Sequence, residues 1–254
     1  PINCATNSGA VYLYTRDSSG SWGVDPTYIK NSYYTGVSFS SIGRSINLSA
    51  DGNTLAMGVY GESSAGTGVG GNPVDDCGSV TPTDCIANSG AVHVYTRDAS
   101  GSWGANPTYI KASNTRVNDR FGSSVSLSAD GNTLAVGASE EDSPAIGING
   151  NQNNNCDPIY GGTICAPNSG AVYVYKRDLS GSWQNNPTYI KAHNTELGDF
   201  FGYSVSLSVD GNTLAIGASG EDSAATGIGG NPVDDCWDRE PINCATNSGA
   251  VYLY

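Results

Sequence analysis

Residues 121–138 read Phe-Gly-Ser-Ser-Val-Ser-Leu-Ser-Ala-Asp-Gly-Asn-Thr-Leu-Ala-Val-Gly-Ala. Apolar and polar side chains alternate at period two through Val125 and Leu127, the signature of a β-strand. Asp130-Gly131 supplies two residues able to take positive φ, which predicts a tight hairpin between strands at about Gly122–Ser128 and Thr133–Ala138. After a long loop, Gly170–Lys176 reads as a third strand, with Val172 and Val174 on one face and Tyr173 and Tyr175 on the other. Leu179-Ser180-Gly181 turns the chain into a fourth strand, Trp183–Ala192. Pro26, Pro107 and Pro187 fall inside fourth strands, and proline lacks the N–H that a central ladder needs, so this strand is expected at an outer edge.

The same unit recurs. Asn-Ser-Gly-Ala-Val begins at Asn7, Asn88, Asn168 and Asn247, successive spacings of 81, 80 and 79 residues. Ser-Gly-Ser-Trp ends at Trp22, Trp103 and Trp183, and Asp-Gly-Asn-Thr-Leu-Ala begins at Asp51, Asp130 and Asp210. No stretch sustains helical spacing. The expected fold is therefore all-β: tandem four-stranded antiparallel blades of propeller type, about 80 residues each. The divisions expected are a half blade at 1–30 (strands three and four), blades at 43–112 and 121–192, and a partial blade at 202–254 (strands one to three).

These residues resemble the FG-GAP repeats of integrin-α-type propellers and of large bacterial extracellular repeat proteins. The resemblance rests on Phe121-Gly122 and Phe201-Gly202, on Gly137-Ala138-Ser139 and Gly217-Ala218-Ser219, and on Gly-Ala-Val-Tyr-Val-Tyr at 170–175. Unit one diverges, with Ile42-Gly43 and Gly58-Val59-Tyr60. The family's calcium-binding hairpin carries several carboxylates, whereas here it holds only Asp51, Asp130 or Asp210, and calcium takes six to eight oxygens.

Residues 1–14 and 241–254 are identical. Three blades are fewer than the roughly four to eight that close a propeller ring. The expectation is an open array, or one completed by further copies of the chain, rather than a self-closed ring; a length cut from a large closed ring is the other reading. Unpaired sheet edges suit pairing with another chain. The chain is expected to be a piece of something larger, since it opens on Pro1 with no signal peptide.

Seven cysteines fall into register with the repeat: Cys77 with Cys85, Cys156 with Cys165, and Cys236 with Cys244, while the partner of Cys4 would precede Pro1. Spacings of eight or nine residues without a neighbouring histidine favour disulfides over zinc, and disulfides point to an extracellular or cell-surface location.

Eleven Lys and Arg against 24 Asp and Glu give a formal charge of −13, which argues against nucleic acid and anionic membrane surfaces as partners. No apolar run approaches the 18–20 residues or so of a membrane-spanning helix, so membrane insertion is not expected. Acidic residues gather in the long loops at one end of the blades. Asp119, Glu141, Asp142, Asp199, Glu221 and Asp222 are candidate calcium ligands there, although unit one has Ser40 and Ser63 at the equivalent places. The other reading of these carboxylates is solvated loops in which Asp and Asn cap turns.

Catalysis is not expected. His93 and His193 occupy non-equivalent positions and have no nucleophile at motif spacing; no carboxylate pair is singled out for glycoside hydrolysis; Gly66–Gly71 opens no helix that would cradle phosphate. The recurring third-strand tyrosines are expected to pack as aromatic rungs between neighbouring sheets, and Asn47-Leu48-Ser49 is a lone glycosylation sequon within a strand. The sequence thus points to a structural or adhesive extracellular module, the repeating unit of a surface filament, with no required cofactor. The alternative is a calcium-dependent propeller that binds a protein or glycan.

Overall fold

The structure, a computed structural model, describes residues 8–30, 41–74, 76–152, 165–232, 235–236 and 242–254. The first sheet has two strands, β1 (Val11–Leu13) and β2 (Thr27–Ile29), paired Val11↔Ile29 and Leu13↔Thr27. The second contains β3 (Ser45–Leu48), β4 (Thr54–Val59), β5 (Gly68–Val69), β6 (Ala91–Thr96) and β7 (Thr108–Lys111), in the order β3-β4-β6-β7-β5. The third is β8 (Phe121–Leu127), β9 (Thr133–Ala138), β10 (Ala171–Lys176) and β11 (Thr188–Ile190), joined in sequence order. The fourth is β12 (Phe201–Leu207), β13 (Leu214–Ala218) and β14 (Ala250–Leu253). Within the sheets every strand pairs antiparallel with its neighbours, and none of the sheets closes into a barrel. The chain is all-β, built of open propeller-type blades.

Local chemistry departs from the sequence reading at three points. The hairpin after β8 is not a two-residue turn: Gly131 alone of the Asp130-Gly131 pair has positive φ (67°). The loop spans Ala129–Asn132 instead, closed by Ser128 N donating to Thr133 O at 2.9 Å. Asp130 caps it, accepting from Ser128 Oγ (2.5 Å) and Asn132 N (3.0 Å), which holds its carboxyl below the usual range. The fourth strand is also shorter than expected, since Pro187 precedes β11 rather than lying inside it. It is not always the edge, because β5 pairs outside β7, Val69 opposite Ile110, and Ile148 bridges Ile190 outside β11. Finally, the aromatic rings meet within a blade. Tyr173 lies edge-on to Phe121 and to Tyr189, with centroids 5.3 and 5.2 Å apart.

Between blades the backbone itself makes the closest approach. Gly58 faces Gly122, and Gly137 faces Gly202, so closely that an added Cβ at Gly58 or Gly137 would sit 2.0 Å from the opposing carbonyl oxygen. Gly122 and Gly202 also have φ of 88° and 86°, a region that side chains disfavour, and each lies at the bulge that opens its first strand. The Phe-Gly pair and the Gly-Ala pair of the repeat are therefore the two halves of one inter-blade contact. Parallel bridges Gly9↔Ile42, Gly90↔Phe121 and Gly170↔Phe201 accompany it. Third-strand tyrosines reach across through their hydroxyls: Tyr175 donates to Lys111 O (3.1 Å) and Tyr254 to Lys191 O (3.0 Å).

Burial follows from this stacking. Leu127, in the blade flanked on both sides, is 6% exposed, while its counterpart Leu48 in β3 is 45% exposed. The apolar side chains of the inner blades form the core.

Candidate functional site

A buried acid–lysine set repeats from blade to blade. Lys111, at the end of β7, puts its Nζ 2.5 Å from Glu62 Oε2 and 2.7 Å from Ser89 Oγ. Lys191, just after β11, repeats this with Glu141 Oε2 (3.0 Å) and Ser169 Oγ (2.6 Å). Both lysines are fully buried. Glu141 also accepts from Tyr189 OH (3.0 Å), Ser143 Oγ (3.1 Å) and Asn114 Nδ2 (3.0 Å). Burial pulls Lys191 below its ordinary pKa, against the raising effect of Glu141, and burial followed by the Glu141 charge pushes Tyr189 up. Removing one member of such a pair typically costs about 3–5 kcal/mol, because the survivor is left buried and uncompensated. The sequence reading missed these lysines. Their signal was a lysine ending an apolar strand in every copy of Pro-Thr-Tyr-Ile-Lys, in phase with a glutamate four residues after the glycine of Gly-Ala or Gly-Val.

Four of the six calcium candidates, the aspartates, hold up loops. Asp119 Oδ2 accepts from Arg116 N, and Asp199 Oδ2 from Glu196 N, both at 2.8 Å. Asp142 Oδ1 accepts from Asn168 N (2.8 Å) and Asp222 Oδ1 from Asn247 N (2.5 Å). Ser63 Oγ accepts from Asn88 N in the same way at 3.0 Å, so serine replaces aspartate in unit one with no loss of the cap. The three asparagines so held have φ of 51–55°, a conformation that needs such support. Glu141 belongs to the lysine set, and Glu221 accepts from Ser223 Oγ at 3.1 Å. Among the described residues no group of three or more His, Cys, Asp or Glu side chains is arranged to hold a metal ion. Asp119 stands apart: its Oδ1 is buried without a hydrogen-bond partner. Burial, then the nearby Glu141 charge, holds its carboxyl well above the ordinary range.

Two disulfides, Cys77–Cys85 and Cys236–Cys244, close the loops after the second strands, each with Cα atoms 4.9 Å apart. Cys165 forms no disulfide among the described residues, and its expected partner Cys156 lies outside them, as does Cys4. The two histidines lie against tyrosine rings. His93 is buried in β6 against Tyr109, and burial lowers its pKa to about 4; His193 lies edge-on to Tyr252.

A groove of about 670 Å3 runs beside β14, between Val251–Tyr254 and the loop at Ala225, Ile228 and Pro232. Residues 108–154 and 188–232 match the family model described as FG-GAP repeat. No curated protein matches the chain.

Proposed function

From the FG-GAP repeats that this chain carries, we infer a non-catalytic structural or adhesive module of the cell exterior, assembling through its blade edges into a surface fibre. FG-GAP repeats are generally non-catalytic, and repeats of this kind together with disulfides are typical of extracellular proteins. One observation carries the reading. Successive blades stack backbone to backbone, Gly58 on Gly122 and Gly137 on Gly202, a contact that any further copy of the repeat can continue. Sheets with exposed edges and faces associate readily with further sheets. Further copies of the chain are the partner this reading calls for. Electron microscopy of the purified chain across a concentration series tests it: fibres that lengthen with concentration are expected, and a concentration-independent monomer overturns it.

A second reading, calcium-dependent binding of a protein or glycan, draws support from Asp119 alone, whose buried Oδ1 lies near the Glu141 and Asp142 charges. It predicts a rise in melting temperature with millimolar calcium but not magnesium, lost in Asp119→Asn. No shift with calcium retires it.

A further inference from the structure

The first strands of the three larger sheets run side by side. Val125 N donates to Ser45 Oγ (2.9 Å) and Leu127 N to Asn47 Oδ1 (2.8 Å), which ties β8 to β3, and Leu207 N donates to Ser126 Oγ (2.9 Å), which ties β12 to β8. Arg44, Ser123 and Tyr203 each follow the first-strand glycine of their copy, and this side-by-side packing brings them to one place. All three line a cleft of about 390 Å3, within the roughly 300–1,000 Å3 of small-molecule sites.

Around this cleft the copies of the repeat differ where their framework does not. Gly43, Gly122 and Gly202 are constant, as are Ser45, Ser124 and Ser204, and Glu62, Glu141 and Glu221. Arg44, Ser123 and Tyr203 are different in every copy, and so are Ser41, Arg120 and Phe200, three residues before them. Ser41, Arg120 and Phe200 have φ of 48°, 54° and 53°. Glycine takes that conformation freely, whereas arginine or phenylalanine adopts it against its own preference. In a chain with 34 glycines, this position carries a side chain in every copy, and Arg120 and Phe200 both turn theirs to the cleft.

The groups so gathered are guanidinium forks, aromatic rings and hydroxyls. Arg44 lies over the Tyr60 ring, 4.8 Å from its centroid, and Arg120 lies over the same ring at 5.9 Å. A hydrogen bond with Ser41, then Arg44 and the Arg120 charge, hold the Tyr60 hydroxyl below its ordinary pKa against the raising effect of burial. Arg120 Nη1 is 2.9 Å from Glu140 Oε1, and among the described residues Arg44 has no carboxylate at ion-pair distance. Phe200 and Tyr203 bring flat apolar faces, with Ser139 and Ser219 beside them. A guanidinium matches a carboxylate through two parallel hydrogen bonds, an aromatic face covers the C–H face of a sugar ring, and serine hydroxyls both donate to and accept from its hydroxyls.

We propose that this cleft binds a uronic acid residue of a short acidic oligosaccharide, with the carboxylate between Arg44 and Arg120 and the sugar ring against Tyr203. The inference deepens the adhesive side of the reading above by naming a ligand class, and it does not require assembly. Glu140 competes with the ligand for Arg120. The net charge of −13 repels a long polyanion at a distance, so the fitting ligand is a short chain or a chain end, held by groups in direct contact.

The test is calorimetric titration of the full chain with trigalacturonate in calcium-free buffer. Saturable binding is expected, weaker by about tenfold or more when the same trisaccharide is methyl-esterified, since the ester loses the charged hydrogen bonds. Arg44→Gln should weaken binding about tenfold for the same reason. Glu140→Gln, which removes the competitor for Arg120, should tighten it by up to about fivefold, a gain that a damaged fold would not produce. Absence of saturable binding, an ester that binds as tightly as the acid, or affinity indifferent to both substitutions overturns the proposal. So does triaspartate binding as tightly as trigalacturonate, which would make the cleft a site for acidic peptides. Electron microscopy of the same preparation separates this inference from the reading beneath it: fibres without uronate binding sink the cleft and leave the structural module standing, whereas neither fibres nor binding removes both.

Discussion

His93 shows what a single substitution does inside a repeat. It occupies the third-strand position held elsewhere by Tyr12, Tyr173 and Tyr252, and its ring is 1% exposed. Burial depresses its pKa from 6.5 to about 4. The unfolded chain thus binds a proton below pH 6.5 that the folded chain refuses until about pH 4. Stability from this group is fully present above pH 6.5 and lost as pH falls through the folded value, a change of roughly 3 kcal/mol. The expected outcome is that wild type loses this much against His93→Phe between pH 7 and pH 4, measured by urea denaturation; parallel pH profiles would contradict it. Sequence spacing was enough to pair Cys77 with Cys85 and Cys236 with Cys244, because a disulfide needs only proximity that the repeat supplies. It was not enough for the carboxylates. Asp142 and Ser63 look chemically unlike, and only the backbone amide each one caps reveals a shared role.

Strands and their partners were largely legible, because a period of two survives in any sheet buried on both faces when small and large side chains alternate. Elements went astray where the backbone, not the side-chain pattern, decides. Asp130 was read as a turn residue with positive φ, while its carboxylate closes a longer loop from a negative φ. The added strand β5 is only two residues, Gly68 and Val69, too short to carry any alternation, and it runs beside β7. The glycines of the second strands give a direct test of the inter-blade contact. Gly137→Ala drives a methyl group onto Gly202 O and Ser124 Oγ and should cost about 3 kcal/mol, the upper end for overpacking. Gly217→Ala meets closely only the rotatable Ser204 Oγ and should cost under about 1 kcal/mol. Urea midpoints of the two variants check the difference, and equal losses would remove the backbone contact as the reason for the conserved spacing between repeats.

For the molecule as a whole, net charge opposes the assembly proposed above. A net charge of −13 makes any two copies repel at long range. Raising the salt from about 10 mM to about 1 M shortens the screening length from about 30 Å to about 3 Å, while a buried ion pair is screened far less. Light scattering should therefore show association at a lower protein concentration in high salt. The opposite trend would mean that exposed charge pairs, not strand edges, hold copies together. The amino-acid sequence alone determined the eighty-residue period, the all-β character, the cysteine pairs and the identity of the first and last strands, because each depends on local alternation or on spacing along the chain. The tertiary structure alone decided that a lysine from one strand neutralises a glutamate some fifty residues away and that facing glycines set the distance between blades. Those depend on which backbones come together in space, and burial then fixes the strength of every charge and hydrogen bond they enclose.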